Sequence, residues 1–243
     1  MSSTSMVSKK VFDVIGKQPI RHDGYDKVTG KALYGADIHP TGVLHGKMLR
    51  SPHAHAKITS IDISKAASHP GVRAVVTARD LPHPTSGDPN ENNNILTGNK
   101  VLYKGHAIAA IAAINPHIAE EALSLIDIKY EILPAVVDVE QAMESGASQL
   151  HQEHTNNVAN HTKLTLGDIE KGFQEADVII EREYHTKTVH QGYIEPHSAT
   201  AIWDANDKVT IWCSSQGHFE IGQSTAKTLG LASSKVKVIP MEI

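Results

Sequence analysis

Residues 107–114 read Ala-Ile-Ala-Ala-Ile-Ala-Ala-Ile, without one polar side chain. Neighbouring residues on a strand point to opposite faces, so a run that is apolar at every position predicts a buried strand with cover on its faces. The text after it supplies a cover. Pro116 stands where a helix starts, and Ala119, Ala122, Leu123 and Ile126 recur on one helical face. A strand over 127–133 follows, and Val139 opens a short helix to about Ser145. Upstream, strands are expected over 44–51 and 56–63, the second with Ile58, Ile61 and Ile63 as its apolar set. Ser64 reads as the N-cap of a short helix closed by His69-Pro70-Gly71, and 72–77 is a strand rich in β-branched residues. Pro82 to Asn99, with its prolines and asparagines, reads as a long exposed loop. Strand–helix–strand, met twice, predicts an α/β module with helices on one or both faces.

Either side of this module the text changes. Residues 1–25 are read as an extended N-terminal arm, 26–145 as the α/β domain and 146–160 as a polar linker. The second region, 161–243, starts with a short strand at 162–166, then Gly167-Asp168 capping a helix to about Ala176. Residues 177–189 alternate well enough to predict one long strand. Strands at 199–203 and 208–214 are joined by the turn-rich Asp204–Asp207, and a helix over 219–229 leads to a strand over 235–240. That last strand ends apolar, and it is expected to lack a closing partner.

Charge and cysteine content limit the function classes. The formal net charge is −4, which leaves no basic surface to neutralise a run of phosphates and argues against nucleic-acid binding. One cysteine allows no internal disulfide and no self-contained iron–sulfur cluster. The first residues show no signal-peptide stretch and no segment has membrane-span length, so a soluble cytoplasmic protein is expected. Sixteen histidines are an unusual load.

Motifs of general chemistry are absent. Neither G-x-G-x-x-G nor the P-loop pattern occurs, nor G-x-S-x-G, nor H-E-x-x-H. His151-Gln152-Glu153-His154 comes nearest to the last, with its histidines three apart in the linker, and reads as a solvated loop. His53 and His55 flank Ala54 and on a strand would share a face, as a chelating pair does. The reading preferred is that Pro52 breaks the strand and the pair orients a turn or a subunit contact. Cys213, beside Trp212 in a predicted strand, reads as a small buried hydrophobe. No metal site is assigned.

Several stretches resemble one family. Asp26-Lys27-Val28-Thr29-Gly30-Lys31-Ala32-Leu33-Tyr34, Asp37-Ile38, Leu44-His45-Gly46-Lys47 and Arg50-Ser51-Pro52-His53-Ala54-His55-Ala56 resemble the opening of the molybdenum-binding subunit of the xanthine dehydrogenase/aldehyde oxidase family. Pro70-Gly71-Val72, Val75-Val76-Thr77, Gly105-His106-Ala107-Ile108-Ala109, Ala119-Glu120-Glu121-Ala122 and Tyr130-Glu131-Ile132-Leu133-Pro134-Ala135 continue it in order. Gly167-Asp168, Ala176-Asp177, His190-Gln191, Glu195-Pro196-His197 and Ser214-Ser215-Gln216-Gly217 resemble the start of its molybdopterin-binding part.

The resemblance implies a fold: a hammerhead α/β domain followed by the first, incomplete part of a molybdopterin-binding α+β domain. It also implies an oxidoreductase that oxidises an aldehyde or N-heterocycle, with water as oxygen source, at molybdenum held by a pterin in its cytosine dinucleotide form. Electrons would leave through [2Fe–2S] clusters and FAD on partner subunits. Gln216 corresponds to the family's glutamine near the metal, where an amide can donate while remaining uncharged. Gly217 would let the backbone approach the cofactor. Glu195 and His197 are expected to serve as buried structural hydrogen-bonding groups.

In the family the chain continues past the strand that 235–243 resembles into a Gly-Gly-Phe-Gly loop and, later, a general-base glutamate. Neither is in this sequence, so no catalytic residue is assigned to the chain. Alone it is expected to be inactive, completed by a C-terminal molybdenum-binding chain with iron–sulfur and FAD subunits. The alternatives are a non-catalytic truncated fragment, or a histidine-rich module that binds a metal or ligand.

Overall fold

In the computed structural model, which describes residues 12–82 and 94–243, the expected loop at 82–99 falls largely outside the described residues. In chain order the elements are helix α1 (Gly24–Thr29), strands β1 (His45–Arg50) and β2 (Ala56–Asp62), helix α2 (Ser64–Ala67), strands β3 (Val72–Thr77), β4 (Lys100–Val101) and β5 (Ala107–Ala113), helix α3 (Pro116–Leu123), strand β6 (Asp127–Ile132), helices α4 (Val139–Ala142) and α5 (Ile169–Glu175), strands β7 (Ala199–Trp203) and β8 (Val209–Ser214), helix α6 (His218–Leu229) and strand β9 (Val236–Met241). Contacts divide the chain into two units. One joins the residues before Pro40 to Glu195–His218 and Lys237–Ile243; the other joins Pro40–Ile194 to Phe219–Val236.

In the second of these units the apolar run becomes β5, the central strand of an antiparallel sheet ordered β1-β5-β3. Both of its faces are covered. Ala109, Ile111 and Ala113 pack with Ala66 of α2, Ala119 and Ala122 of α3, and Ile126. Ile108 turns the other way, to Ala56 and Ile58 of β2 and Val101 of β4. Those two strands belong to a second antiparallel sheet, ordered β4-β2-β6. The alternation of side chains along one strand thus feeds two cores at once. Helix α3 starts where expected: Asn115 Oδ1 accepts from Ile118 N at 2.8 Å and Pro116 fills the first turn. Gly71 has φ +90°, and a Cβ there would lie 2.8 Å from Ile118 Cδ1, so that turn requires glycine.

Several expectations are corrected. Ser64 is the first residue of α2 and not its N-cap; the cap position is Ile63, and Asp62 Oδ1 accepts from Ser64 N at 2.9 Å. The end of the arm is not extended, since α1 starts at Gly24, runs past the expected boundary at 25 and ends on Gly30 in the left-handed conformation, φ 73°. The linker around 146–160 is tied down. Gln149 Nε2 donates to the carbonyls of His151, Gln152 and His154 at 3.0, 3.1 and 3.1 Å. Asn157 donates to the carbonyls of Ala142 and Ser148 and accepts from Leu150 N. Helix α5 forms on the Asp168 cap, whose Oδ1 accepts from Lys171 N at 3.0 Å. The strands expected at 162–166 and 177–189 do not form. Neither segment pairs with a described strand, and a strand without a ladder has no regular partner for its backbone groups.

In the other unit, β7 and β8 form the expected hairpin, pairing Ala199 with Cys213 through to Trp203 with Val209. Asp204 Oδ1 accepts from Asn206 N and Lys208 N at 2.8 and 3.0 Å, and Asp207 turns through φ 56°. Strand β9 lies on the other side of β8, so the expectation that it lacks a partner is wrong. Past its end, Glu242 forms a parallel bridge with Tyr34 and its N–H donates to Leu33 O at 3.2 Å. Lys27 Nζ reaches the Glu242 carboxylate at 2.6 Å and the Ile243 carbonyl at 3.0 Å.

Candidate functional site

Strand β8 alternates, with Val209, Ile211 and Cys213 buried, and then leaves the sheet through Ser214-Ser215-Gln216-Gly217 into α6. This turn is held from both ends. Ser214 Oγ accepts from Ser198 N at 3.0 Å and donates to Pro196 O at 2.7 Å, while Ser214 N donates to Ser198 O at 3.2 Å. Ser215 Oγ accepts from Gly217 N at 2.9 Å. The segment leading into β7 is therefore stitched alongside the segment leading out of β8.

That stitching brings Glu195 to Gln216. The Gln216 amide nitrogen donates to both carboxylate oxygens, at 2.9 and 3.0 Å. Gln216 is exposed and Glu195 half-buried, so Glu195 is a hydrogen-bonding group as expected but lies nearer to solvent than its expected burial. His197 is also exposed, against the same expectation. Gly217 is half-buried. The Glu195–Gln216 pair spans 21 positions, and no periodicity in the sequence announces it. The stitching by Ser214 was likewise not legible, although its residue lies inside the motif that carried the resemblance.

The other candidates do not gather there. His55 is buried and its Nδ1 lies 2.7 Å from the Pro134 carbonyl, which makes Nδ1 the donor and leaves Nε2 as a buried acceptor without a partner. His53 instead sets its ring edge on Tyr130, with centroids 4.8 Å apart. The two histidines have different partners, as expected of a turn and not of a chelate. His151 and His154 both lie beside the Glu153 carboxylate, at 3.7 and 4.0 Å. Among the described residues no three His, Cys, Asp or Glu side chains are placed to hold a metal ion. Cys213 is buried, and burial pushes its thiol above the ordinary range, which fits a packing role. At the β8–α6 turn Gln216 offers an uncharged amide with a glycine beside it, and the one carboxylate in contact, Glu195, is engaged by that amide. Such a set fits contact with a cofactor that carries its own metal, and does not fit direct coordination.

Two family models cover most of the chain. Residues 29–134 match the a/b hammerhead domain of aldehyde oxidase and xanthine dehydrogenase, and residues 150–243 match the molybdopterin cofactor-binding domain. The chain is 32% identical over 232 residues to the nicotinate dehydrogenase large molybdopterin subunit of Eubacterium barkeri, covering 95% of this chain and 54% of that one. It is 33% identical over 221 residues to a probable xanthine dehydrogenase subunit of Bacillus subtilis, covering 90% and 29%. Among solved structures, quinoline 2-oxidoreductase from Pseudomonas putida 86 superimposes with a TM-score of 0.80 at 25% identity, over 94% of this chain and 30% of that one. The chain thus spans about half of the first relative and under a third of the others. With both domain models matched in order, this chain belongs to the xanthine dehydrogenase/aldehyde oxidase family, of which it holds the hammerhead domain and the start of the molybdopterin-binding domain.

Proposed function

We propose that this chain is a portion or split subunit of a molybdenum hydroxylase that oxidises an aldehyde or N-heterocycle, and that it needs a partner chain carrying the glycine-rich loop and the general-base glutamate. The observation that carries this reading is the Gln216 turn: an exposed amide, its backbone fixed on both sides, within the segment that matches a molybdopterin cofactor-binding domain. When bound, the molybdopterin, here assigned its cytosine dinucleotide form, supplies oxidation of a carbon centre with oxygen from water. The chain's own part is to orient. Ser214 and Ser215 hold the turn, Gln216 offers a neutral hydrogen-bonding group to the cofactor, and Gly217 keeps the adjoining space free of a side chain. Nicotinate, xanthine and quinoline, in the names of three relatives, are N-heterocycles, while the matched hammerhead model is named for aldehyde oxidase as well as xanthine dehydrogenase, so both substrate classes stay within the proposal. Two of those relatives are named as subunits, which supports partner chains here, with iron–sulfur and FAD subunits to take the electrons.

Native mass spectrometry with metal analysis, on the chain purified from its own source, tests the reading. The expected result is a complex with a larger partner, iron–sulfur clusters and about one molybdenum per chain, since one completed site encloses one cofactor. A folded, metal-free monomer of this chain alone would overturn it.

A further inference from the structure

Glutamine presents two unlike groups, an NH2 that donates and a carbonyl that accepts, and rotating the amide exchanges them. Around Gln216 the chemistry allows one orientation. A carboxylate only accepts, so the amide must turn its nitrogen toward Glu195; the reverse would set the Gln216 carbonyl against two charged oxygens. Both contacts come from one nitrogen, and the two N–H bonds of a planar NH2 diverge too widely for each to meet its own oxygen of a single carboxylate. The contacts at 2.9 and 3.0 Å are therefore one shared N–H, and the second N–H and the carbonyl oxygen of Gln216 remain to be presented elsewhere. Both partners sit near solvent, where a pair of flexible side chains has little grip of its own. Here the backbones supply it, because Ser214 ties Pro196 and Ser198 to the end of β8 and so keeps Glu195 in reach of Gln216.

We infer that Glu195 is a positioning residue: its ionised carboxylate fixes which way the Gln216 amide faces, and thereby which hydrogen-bonding group the chain offers a cofactor at this turn. The inference rests on the reading of Gln216 proposed above, and its test separates the two.

The first measurement needs no cofactor. The 243-residue chain is labelled with 15N glutamine, and the Gln216 NH2 signals, identified by their loss in Gln216→Ala, are followed through the carboxylate range of pH. They are expected to shift with the ionisation of one carboxylate, and that shift is expected to vanish in Glu195→Gln and Glu195→Ala while the β7–β8 backbone signals stay in place. Gln216 signals that behave alike in all three chains would overturn the inference, whatever the cofactor does.

The second measurement is molybdenum retained per chain in the complex from the native source, across the same pH range. Loss in Glu195→Ala matching that in Gln216→Ala, with no further loss in the double variant, supports Glu195 acting through Gln216. Loss in Gln216→Ala alone overturns the inference and keeps the cofactor reading. Retention unchanged in both, with the NH2 shift still lost on removing Glu195, overturns the cofactor role of Gln216 and leaves the orienting contact supported.

Discussion

Residues 107–113 and 177–189 both read as strands, and only the first is one. Strand β5 lies between β1 and β3, and its side chains enter two cores, with Ile108 fully buried and Ile111 nearly so. Residues 177–189 alternate well enough to read as a strand: Val178, Ile180, Arg182, Tyr184 and Thr186 fall on one side, Ile179, Glu181, Glu183 and His185 on the other. Yet no ladder forms, and Ile180 and Tyr184 stand 73% and 82% exposed. Alternation tells which face of a strand is ready to be buried; whether it becomes a strand depends on a neighbour that supplies hydrogen bonds and cover. The segment at 162–166 repeats the lesson, with Leu164 and Leu166 almost wholly exposed.

The strongest way to break this contrast is amide hydrogen exchange. The amides of β5 lie in a sheet between two neighbours and are expected to open only with the unit's cooperative unfolding, whereas those of 177–189 lie in no described ladder. Their protection is expected to differ by at least about a thousandfold. Comparable protection in the isolated chain would mean that 177–189 has found a ladder after all, and the comparison would fail. Next in size is a pair of truncations followed by urea denaturation. Ile111→Ala empties a packed site and is expected to cost about 2–5 kcal/mol. Ile180→Ala removes an exposed side chain and is expected to change stability by no more than about 0.5 kcal/mol. Equal costs would again refute the contrast.

What the sequence made legible follows the same division. Elements whose cause is local were read correctly: the Pro116 start of α3, the Asp168 cap of α5 and the Asp-rich turn between β7 and β8. Strand β5 was legible because its composition alone demands cover on both faces. What escaped were pairings between distant residues. Strand β4, two residues long, exists only because β2 lies beside it. The partner of β9 was missed because a sheet neighbour is set by topology, and the failure of 177–189 because its exposed state depends on what is not alongside. At the candidate site, Gln216 and Gly217 were reached through the family motif, while the Glu195 contact and the Ser214 stitch join segments that only the hairpin brings together.

Ser214 offers a smaller test, at a strand end tied by a side chain instead of a full ladder. Ser214→Ala leaves Ser198 N and Pro196 O without their partner and is expected to destabilise by about 1–2 kcal/mol. It should also loosen the Gln216 turn, seen as faster exchange at Ser198 with β5 unchanged. A loss that spread equally to β5 would mean that the two units unfold as one and that the stitch is not local.

The smallest expected effect concerns the arm, which is fixed by neither a core nor a ladder. Near α1 the Asp23 carboxylate accepts from Arg21 Nη2 at 2.7 Å and lies 3.8 Å from Lys27 Nζ, the ammonium that also grips Glu242. Chiefly the hydrogen bond from Arg21, with attraction from the two cations, holds Asp23 down to about 2 from an ordinary 3.8. A carboxyl depressed in the folded chain binds its proton more readily in the unfolded one. The contribution of the pair is therefore fully present above the ordinary value and is lost as pH falls toward 2. Because these groups meet water and salt screens them, the effect on overall stability is slight. The titration itself is the sharper readout. NMR of the Asp23 carboxyl should place its midpoint well below the ordinary value, and Arg21→Gln should bring it most of the way back. A wild-type midpoint already at the ordinary value would mean that Arg21 does not hold this carboxylate in solution.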